Sequence, residues 1–445
     1  MQELTASIES LVASASSLED LEDGVFDLTC AFARRVVESA LAGRDEDLAA
    51  RVPAAWRCKD RRSRRILTRF GEIAFTRRRY VDPDGTARFA LDEEFGLASR
   101  VRVSPALERL LVDLSSSVSF REASRIVSVA LRTHISHQSA HTALARAGER
   151  LACEAEAAAS DLHDLGLQPA GTVKASRLHC EADGTVIALQ GESVRRTEVK
   201  LAVFYTDKAH GLGAVHASLG PPAGFWRCAS AVAGARYDLS GVSEVIVAGD
   251  GAPWVKKGTE VFVGARYQLD PFHVMRALLR ATGQHGVATR VFIAVYRDGL
   301  KGATALLERF AARHPERGCD VDAVIGYLES NAEGLWRPDP GCGSIEGHID
   351  KILANRFKKR GRRWSRIGAD RMAHVLAARR SGRPLPVGRW QAPEPREAAR
   401  PLRPVEFERV MRVDDRPPQA HVVSNNTGRG FTRMLRDISG VRKAD

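Results

Sequence analysis

Hydrophobic positions follow two different spacings along the chain, and these spacings divide it into helical and strand-forming regions. In residues 1–50 apolar side chains recur every three to four positions, which is typical of amphipathic helices. We expect the buried stripe of these helices to consist of Leu11, Leu18, Leu21, Val25, Leu28 and Phe32. Residues 104–152 show the same spacing in shorter stretches, and helix starts are indicated at Ser104, Ser119 and Ser136.

The region after residue 175 changes to short apolar runs that are typical of β-strands. A loop over 165–175 with glycine and proline precedes it and marks a domain boundary. We predict a helix over 225–235 and strands over 177–183, 200–206, 213–218, 245–248 and 265–269. Three strands, a helix and a fully apolar strand predict an α/β fold, in which helices pack on a mixed sheet.

The last third of the chain returns to helical spacing and then loses it. Residues 274–330 are predicted to be helical, and a loop over 337–343 precedes a helix that carries Glu346 near its start. From Pro384 onward proline is frequent, so we predict an extended or partly disordered tail with a short helix at 431–435.

Two segments concentrate positive charge within a chain whose net charge is +12. Residues 57–80 contain ten Lys and Arg against two acids, and residues 351–383 contain twelve against one. Such blocks indicate a polyanionic partner, most often nucleic acid, although solvated helix faces have the same composition.

Cysteine usage and hydropathy narrow the class of protein further. The seven cysteines include no C-x-x-C pair, which indicates reduced thiols and no zinc ribbon. No apolar run approaches the roughly 18 residues of a membrane helix, and the first residues are acidic, unlike a signal peptide. We therefore expect a cytoplasmic protein with no membrane partner, and the basic blocks add the expectation that it is nucleoid-associated.

The first basic block contains a predicted β-hairpin. Apolar residues alternate over 66–75, and a turn at 82–85 ends the segment. We expect Arg77, Arg78 and Arg79 of this hairpin to lie against DNA phosphates.

The helices predicted at 119–131 and 136–150, with the short link 132–135, fit a helix-turn-helix. In that arrangement His137 and Gln138 would face a DNA groove. Any two short amphipathic helices give the same pattern, so a purely structural pair remains the alternative.

Two carboxylates lie at the ends of predicted strands, and each is followed by glycine. They are Asp183, before Gly184, and Asp250, before Gly251. Phosphodiester cleavage by two divalent ions about 3.5–4 Å apart requires carboxylates that converge from different elements. Mg²⁺ and Mn²⁺ prefer such oxygen ligands, so we expect two ions here. Glu181 lies on the same strand face as Asp183 and remains an alternative ligand, and each Asp on its own is compatible with an ordinary turn.

The third acid of this candidate site is predicted to be Glu346. The most basic segment of the chain follows it, and cations next to a metal-binding acid suit a phosphate substrate. Glu329, Glu333 and Asp350 remain alternatives. The candidate DNA-binding residues of the basic segment are Lys351, Arg356, Lys358, Lys359, Arg360, Arg362, Arg363 and Trp364. The tryptophan is compatible with stacking on a base, but packing against its own helix is the favoured role.

Asp270 and His273 lie where a predicted strand ends and a helix begins. Taken alone, this pair is explained by a helix-capping aspartate and a core histidine.

Taken in order, these segments resemble the ISLre-type insertion-sequence transposases, a group formerly catalogued as an uncharacterised UPF family and related to the Mutator superfamily. The resemblance covers roughly residues 60–380 and rests on Glu181-Ala182-Asp183, Gly249-Asp250-Gly251-Ala252, Leu269-Asp270-Pro271-Phe272-His273 and Ile345-Glu346-Gly347-His348-Ile349. It implies a ribonuclease-H-like core with a DDE triad of Asp183, Asp250 and Glu346, and a helical insertion between the second and third acids. It also implies that His273 with Asp270, which match a C/D-x-x-H motif of the relatives, orients the triad or the scissile strand.

The predicted function is therefore that of an enzyme, a DNA transposase that cuts the ends of an insertion sequence and transfers the strands. Its partners would be double-stranded DNA with terminal inverted repeats and target DNA, and the resemblance implies a homo-oligomer on DNA. The alternative is a catalytically decayed or repurposed DNA-binding protein with the same fold. A phosphatase or nuclease for small substrates is disfavoured by the basic blocks.

The predicted domain organisation follows from these elements: an N-terminal helical region (1–60), a basic β-hairpin segment (61–100), a helix-turn-helix-like DNA-binding region (101–165), the ribonuclease-H-like core (172–273 and 340–383), the helical insertion (274–339) and the Pro-rich tail (384–445).

Overall fold

A computed structural model of the protein describes residues 2–191, 193–207, 211, 213–358, 363–388, 390 and 393. The chain forms two compact units. The first contains the residues up to Arg150 together with a segment from Leu385, and the second runs from Leu151 to Pro384. None of the helices in these ranges is long and apolar enough to cross a membrane. The short helix predicted at 431–435 lies outside the described residues.

The first unit consists of helices around a β-hairpin. Its strands are β1 (Arg57–Thr68), β2 (Gly71–Val81) and the short β3 (Ala87–Arg88). Its helices are α1 (Gln2–Ser14), α2 (Leu18–Ala49), α3 (Ala90–Glu94), α4 (Pro105–Ser117) and α5 (Phe120–Ala130), and α6 (His137–His163) begins here and continues past Arg150. The predicted helix starts at Ser104 and Ser119 are confirmed, because both hydroxyl groups accept a backbone N–H from the first turn.

The hairpin differs in position from its prediction. Its first strand begins at Arg57, and its turn lies between Thr68 and Gly71, whose φ of +102° requires glycine. One face of the hairpin buries Ile66, Ile73 and Phe75 against side chains of α2 and α3.

The predicted buried stripe of the N-terminal helices was wrong. Leu18 is 71% exposed and Phe32 is 52% exposed, whereas the buried positions of α2 are Leu41, Asp45 and Leu48 near its C-terminal end. Helical periodicity identifies an apolar face but does not say which part of a long helix meets the sheet.

The second unit contains a five-stranded mixed sheet, as predicted. Its strands are β4 (Arg177–Ala188), β5 (Arg196–Tyr205), β6 (Ala214–Ser218), β7 (Glu244–Gly249) and β8 (Ala265–Leu269). They are arranged in the order β6-β5-β4-β7-β8. The first three strands pair antiparallel, and β7 and β8 run parallel to β4.

Helices cover this sheet and supply its core. They are α7 (Pro222–Gly234), α8 (Pro253–Lys256), α9 (Pro271–Thr282), α10 (His285–Arg297), α11 (Gly299–Arg313), α12 (Gly318–Glu329), α13 (Ile345–His348), α14 (Asn355–Phe357) and α15 (Arg366–Arg380). The four helices α9 to α12 occupy the predicted helical stretch at 274–330, and they share a hydrophobic core with β4, β7 and α7.

Asp183 does not end its strand, which corrects the prediction. β4 continues through Gly184 to Ala188 and stays paired with β5, with Asp183 opposite Leu201. The pairing of β4 with β7 stops at Ala182. Gly184 does not form a turn; a Cβ at this position would collide with the carboxylate of Glu198 on β5.

Candidate metal centre

Asp183 and Asp250 are neighbours at the edge where two parallel strands part. The last paired residues of β4 and β7 are Ala182 and Gly249, so the next residue of each strand is one of the two aspartates. The two carboxylates also interact electrostatically, because the charge of Asp250 raises the pKa of Asp183. The strand register therefore brings together two acids that are 67 positions apart in the chain.

The carboxyl group of Asp183 is held in surroundings that disfavour its charge. It is 8% exposed, and burial raises its pKa to about 7. The Gly184 N–H, which donates to Asp183 Oδ1 at 2.7 Å, and the charge of His273 oppose this rise, while Asp250 and Glu346 add to it. A cation next to this group would relieve the repulsion among three carboxylates.

The start of α9 places a histidine beside this acid pair. Asp270 is the N-cap, and its buried carboxylate accepts the Phe272 N–H at 3.2 Å and lies 2.9 Å from Nδ1 of His273. The backbone N–H of Asp270 donates to Gly249 O at 2.8 Å, which ties the helix to the end of β7. Burial lowers the pKa of His273, but the hydrogen bond and charge of Asp270, with smaller contributions from nearby aspartates, raise it on balance.

Glu346 reaches the same place from a different part of the chain. It lies in the single-turn helix α13, which continues directly into a π-helical turn at Ile349–Ala354. Its Oε1 lies 3.5 Å from Nε2 of His273 and 2.6 Å from Nη1 of Arg276, which is one turn further along α9.

The three side chains of Asp183, His273 and Glu346 form a compact group of potential metal ligands. Each offers one atom, and these atoms all lie within 4.8 Å of one another. Asp250 borders the group, and its Oδ1 accepts the Ala252 N–H at 2.9 Å. Oxygen-rich donor sets of this kind suit hard divalent cations such as Mg²⁺ and Mn²⁺.

The alternative acids have other surroundings. Glu181 is 1% exposed and accepts hydrogen bonds from Ser344 and Tyr205. Glu333 pairs with Lys256 at 2.9 Å, and Glu329 is exposed on α12. Asp350 is exposed in the π-helical turn. In the part of the chain that the structure describes, Asp183, His273 and Glu346 form the one such group.

The arginines of the basic hairpin are paired within the first unit. The side chain of Arg77 is 11% exposed, and its Nε lies 2.8 Å from a carboxylate oxygen of Asp92. Arg78 lies 2.6 Å from Asp45, and Arg79 makes two contacts with Asp60, at 2.9 and 2.6 Å. The charge count along the sequence therefore overstates the free positive charge of the hairpin. Binding of DNA by these three arginines stays a prediction.

The candidate helix-turn-helix consists of α5 and α6, joined by residues 131–136. His137 and Gln138 are exposed in the first turn of α6, as a DNA-reading role would require. Helix α6 is longer than predicted, because the expected helix at 136–150 continues without a break to His163.

The second basic block divides into exposed and buried residues. Lys351, Lys358 and Arg363 are exposed, whereas Arg356 is 4% and Trp364 is 7% exposed. The burial of Arg356 and Trp364 contradicts the prediction that these two side chains contact DNA. The tryptophan Nε1–H donates to the Phe357 carbonyl at 3.2 Å, and the Arg356 guanidinium lies over its ring at 4.8 Å. Lys359, Arg360 and Arg362 lie outside the described residues.

Sequence reasoning missed the side chain of Arg276 and the contact that Glu181 makes. Arg276 contacts Glu346, and its position three residues after His273 on a predicted helix could have indicated that both face the site. Glu181 was considered as a metal ligand, and its contact with Ser344 had no sequence signal, because the two residues are 163 positions apart.

Comparison with known proteins places the chain in a family. The model of the Uncharacterised protein family (UPF0236) matches residues 11–394, so the chain belongs to this family. A UPF0236 protein of Caldanaerobacter subterraneus subsp. tengcongensis is 23% identical over 407 residues, which are 87% of this chain and 83% of that protein. The "UPF0236 protein in vanSb 3'region" of Streptococcus gallolyticus is 24% identical over 403 residues, 85% of this chain and 86% of that protein.

Proposed function

We propose that this member of the UPF0236 family is a DNA transposase of the ISLre type, which cuts the ends of an insertion sequence and joins them to target DNA. The observation on which this proposal chiefly rests is the convergence of Asp183, His273 and Glu346, with Asp250 beside them. These side chains come from two strands and two helices, which is what two-ion cleavage of a phosphodiester requires of its ligands.

The residues present fit divalent metal. Asp183, Asp250 and Glu346 would hold Mg²⁺ or Mn²⁺ through carboxylate oxygens, with two ions expected. The raised pKa of Asp183, caused mainly by burial, is a cost that a neighbouring cation offsets. When bound, such ions activate water or a 3′-hydroxyl as the nucleophile and neutralise charge on the phosphate.

The remaining side chains have roles that follow from their contacts. Asp270 holds His273 through Nδ1 at the start of α9, which turns Nε2 toward Glu346. Arg276 is half-exposed and, within the described part of the chain, uses one Nη group on Glu346, which leaves its other N–H donors for a DNA phosphate.

The sheet is compatible with a ribonuclease-H-like core. Such a core needs three antiparallel strands followed by two strands parallel to the first, with acids at the first and fourth strands. The order of β4 to β8 and the positions of Asp183 and Asp250 on β4 and just after β7 agree with this requirement. Helices α9 to α12 lie between the second and third acids, where the resemblance implies an insertion.

The relatives add an independent argument that this family is encoded by mobile genetic elements. The name of the Caldanaerobacter protein joins eleven gene designations of one strain. Repeated copies in one genome are what a mobile element leaves behind. For this chain we accordingly propose DNA with terminal inverted repeats and target DNA as partners, a homo-oligomer on DNA, and a cytoplasmic, nucleoid-associated location. The exposed candidates for DNA contact are His137, Gln138, Lys351, Lys358 and Arg363.

The test is strand cleavage and joining on DNA that carries the sequences flanking the coding region. The full chain would be compared with Asp250→Asn and Asp183→Asn, and with Asp322→Asn, an exposed position on α12, as the matched control. We expect cleavage with Mg²⁺ or Mn²⁺ in the wild type and the control and at least a hundredfold loss in the other two. Equal cleavage by all four chains would remove the catalytic role of these acids. DNA binding without cleavage by the wild type would favour the alternative, a DNA-binding protein that has lost catalysis.

A further inference from the structure

Glu181 is a buried carboxylate that faces the candidate metal centre without joining it. It lies two residues before Asp183 on β4, so both side chains extend from the same face of the sheet. It is 1% exposed. A buried carboxylate is costly unless donors surround it, so the partners of Glu181 indicate what it stabilises.

Ser344 and Tyr205 donate hydrogen bonds to Glu181. The Ser344 N–H donates to Oε2 at 2.8 Å, and its hydroxyl donates to Oε1 at 3.0 Å. The Tyr205 hydroxyl also donates to Oε1 and lies 3.0 Å from the carbonyl oxygen of Gly341. One carboxylate therefore holds both the backbone and the side chain of the residue that precedes helix α13.

A second contact from the same strand holds the start of this segment. His179, two residues before Glu181, places Nε2 3.1 Å from Asp339, and its ring stacks on Tyr205. The carboxylate of Asp339 in turn accepts the Gly341 N–H at 2.7 Å. Residues 339–344 are thus fastened to β4 at two successive positions of the strand face that continues to Asp183.

Glu346 follows Ser344 by two residues, in the first turn of α13. We propose that Glu181 is a positioning residue, which docks the 339–344 segment on β4 and thereby sets the distance of Glu346 from Asp183 and His273. This inference rests on the proposed function of that centre for its metal-binding consequence, whereas the docking itself does not depend on it. Partners of metal ligands commonly contribute 10–100-fold to metal affinity, because they orient the ligand.

The substitution Glu181→Gln tests the proposal, because glutamine keeps the shape but turns an NH₂ group toward donors that need an acceptor. Ser344→Ala is a milder second variant that removes one donor from a partly exposed position. Glu329→Gln, an exposed carboxylate on α12, is the matched control.

Docking is measured by the rate at which Cys342 reacts with a thiol reagent, assigned by peptide mass spectrometry. Cys342 lies within the segment and is 6% exposed, and Cys180, which is 0% exposed on β4, reports global unfolding in the same experiment. We expect Glu181→Gln to increase labelling of Cys342 about tenfold while labelling of Cys180 is unchanged. Ser344→Ala should give a smaller increase and Glu329→Gln none.

Positioning is measured by Mn²⁺ titration of the same full-length proteins, followed by the loss of the free-ion electron paramagnetic resonance signal. We expect Glu181→Gln to weaken Mn²⁺ binding about 10–100-fold. Unchanged labelling of Cys342 in both variants would overturn the docking. Faster labelling with unchanged Mn²⁺ affinity would overturn the positioning. A wild-type chain that binds no Mn²⁺ would instead overturn the proposed metal centre, and the labelling of Cys342 tells these failures apart.

Discussion

The raised pKa of Asp183 predicts a pH-dependent stability that one substitution should remove. The pKa rises from 3.8 to about 7, mainly because the carboxyl group is buried. The folded chain therefore retains a proton that the unfolded chain has already released. The stability that this group contributes is complete below pH 3.8 and is lost as the pH rises toward 7.

The magnitude follows from the same difference. The pKa difference between the folded and unfolded chain corresponds to about 4 kcal/mol of unfolding free energy in full. About 2 kcal/mol of this is lost between pH 5.5 and pH 8. Asn at position 183 has no proton to lose. The free energy of unfolding of Asp183→Asn should therefore rise by about 2 kcal/mol relative to that of the wild type over that interval. For a unit of this size we expect the difference in melting temperature to widen by roughly 4–8 °C.

The assay is thermal unfolding of the full chain in EDTA at several pH values, with Asp322→Asn as the control. A difference between Asp183→Asn and wild type that stays constant from pH 5.5 to pH 8 would refute the reasoning. Added Mn²⁺ at pH 8 should raise the melting temperature of the wild type and of the control, but not of Asp183→Asn, because the cation replaces the proton.

Three further substitutions test the buried polar and aromatic groups by thermal unfolding. Trp364→Ala should lower the stability of the second unit by about 3–5 kcal/mol, because it empties a packed site, whereas Arg363→Ala next to it should have little effect. Asp92→Asn should cost about 3–5 kcal/mol, because it leaves two buried guanidinium groups without a carboxylate, and an unchanged melting temperature would contradict this. Burial, reinforced by His374, lowers the pKa of His216 well below its usual value, so the stability from its neutral ring is lost as the pH falls below 6.5. His216→Phe should therefore flatten the fall in melting temperature between pH 7 and pH 5, and an equally steep fall in this variant would contradict it.

Local pattern was sufficient for most elements of the second unit. The apolar run at 245–248 and the alternating run at 265–269 became β7 and β8 almost without change of boundaries. Both are short, and glycine or a charged residue follows each. Strand-forming residues between such ends have few alternatives to a sheet.

Pattern was insufficient where burial depends on distant partners. The predicted buried stripe of the N-terminal helices was wrong, and the role of Trp364 stayed open in sequence, because helical spacing and composition do not specify what covers a face. The arginines of the hairpin are a similar case: the carboxylate of Asp45, which neutralises Arg78, lies 33 positions earlier.

The sequence by itself determined which groups were available: acids after apolar strands, an Asp-x-x-His at a helix start, and an acid ahead of a basic segment. Only the tertiary structure decided which of them meet. Glu181 and Asp183 share a strand face, yet Glu181 contacts Ser344 while Asp183 lies with His273 and Glu346. Ligand atoms must approach within a few ångströms, and that distance depends on strand register and helix packing across more than a hundred residues, which no local pattern specifies.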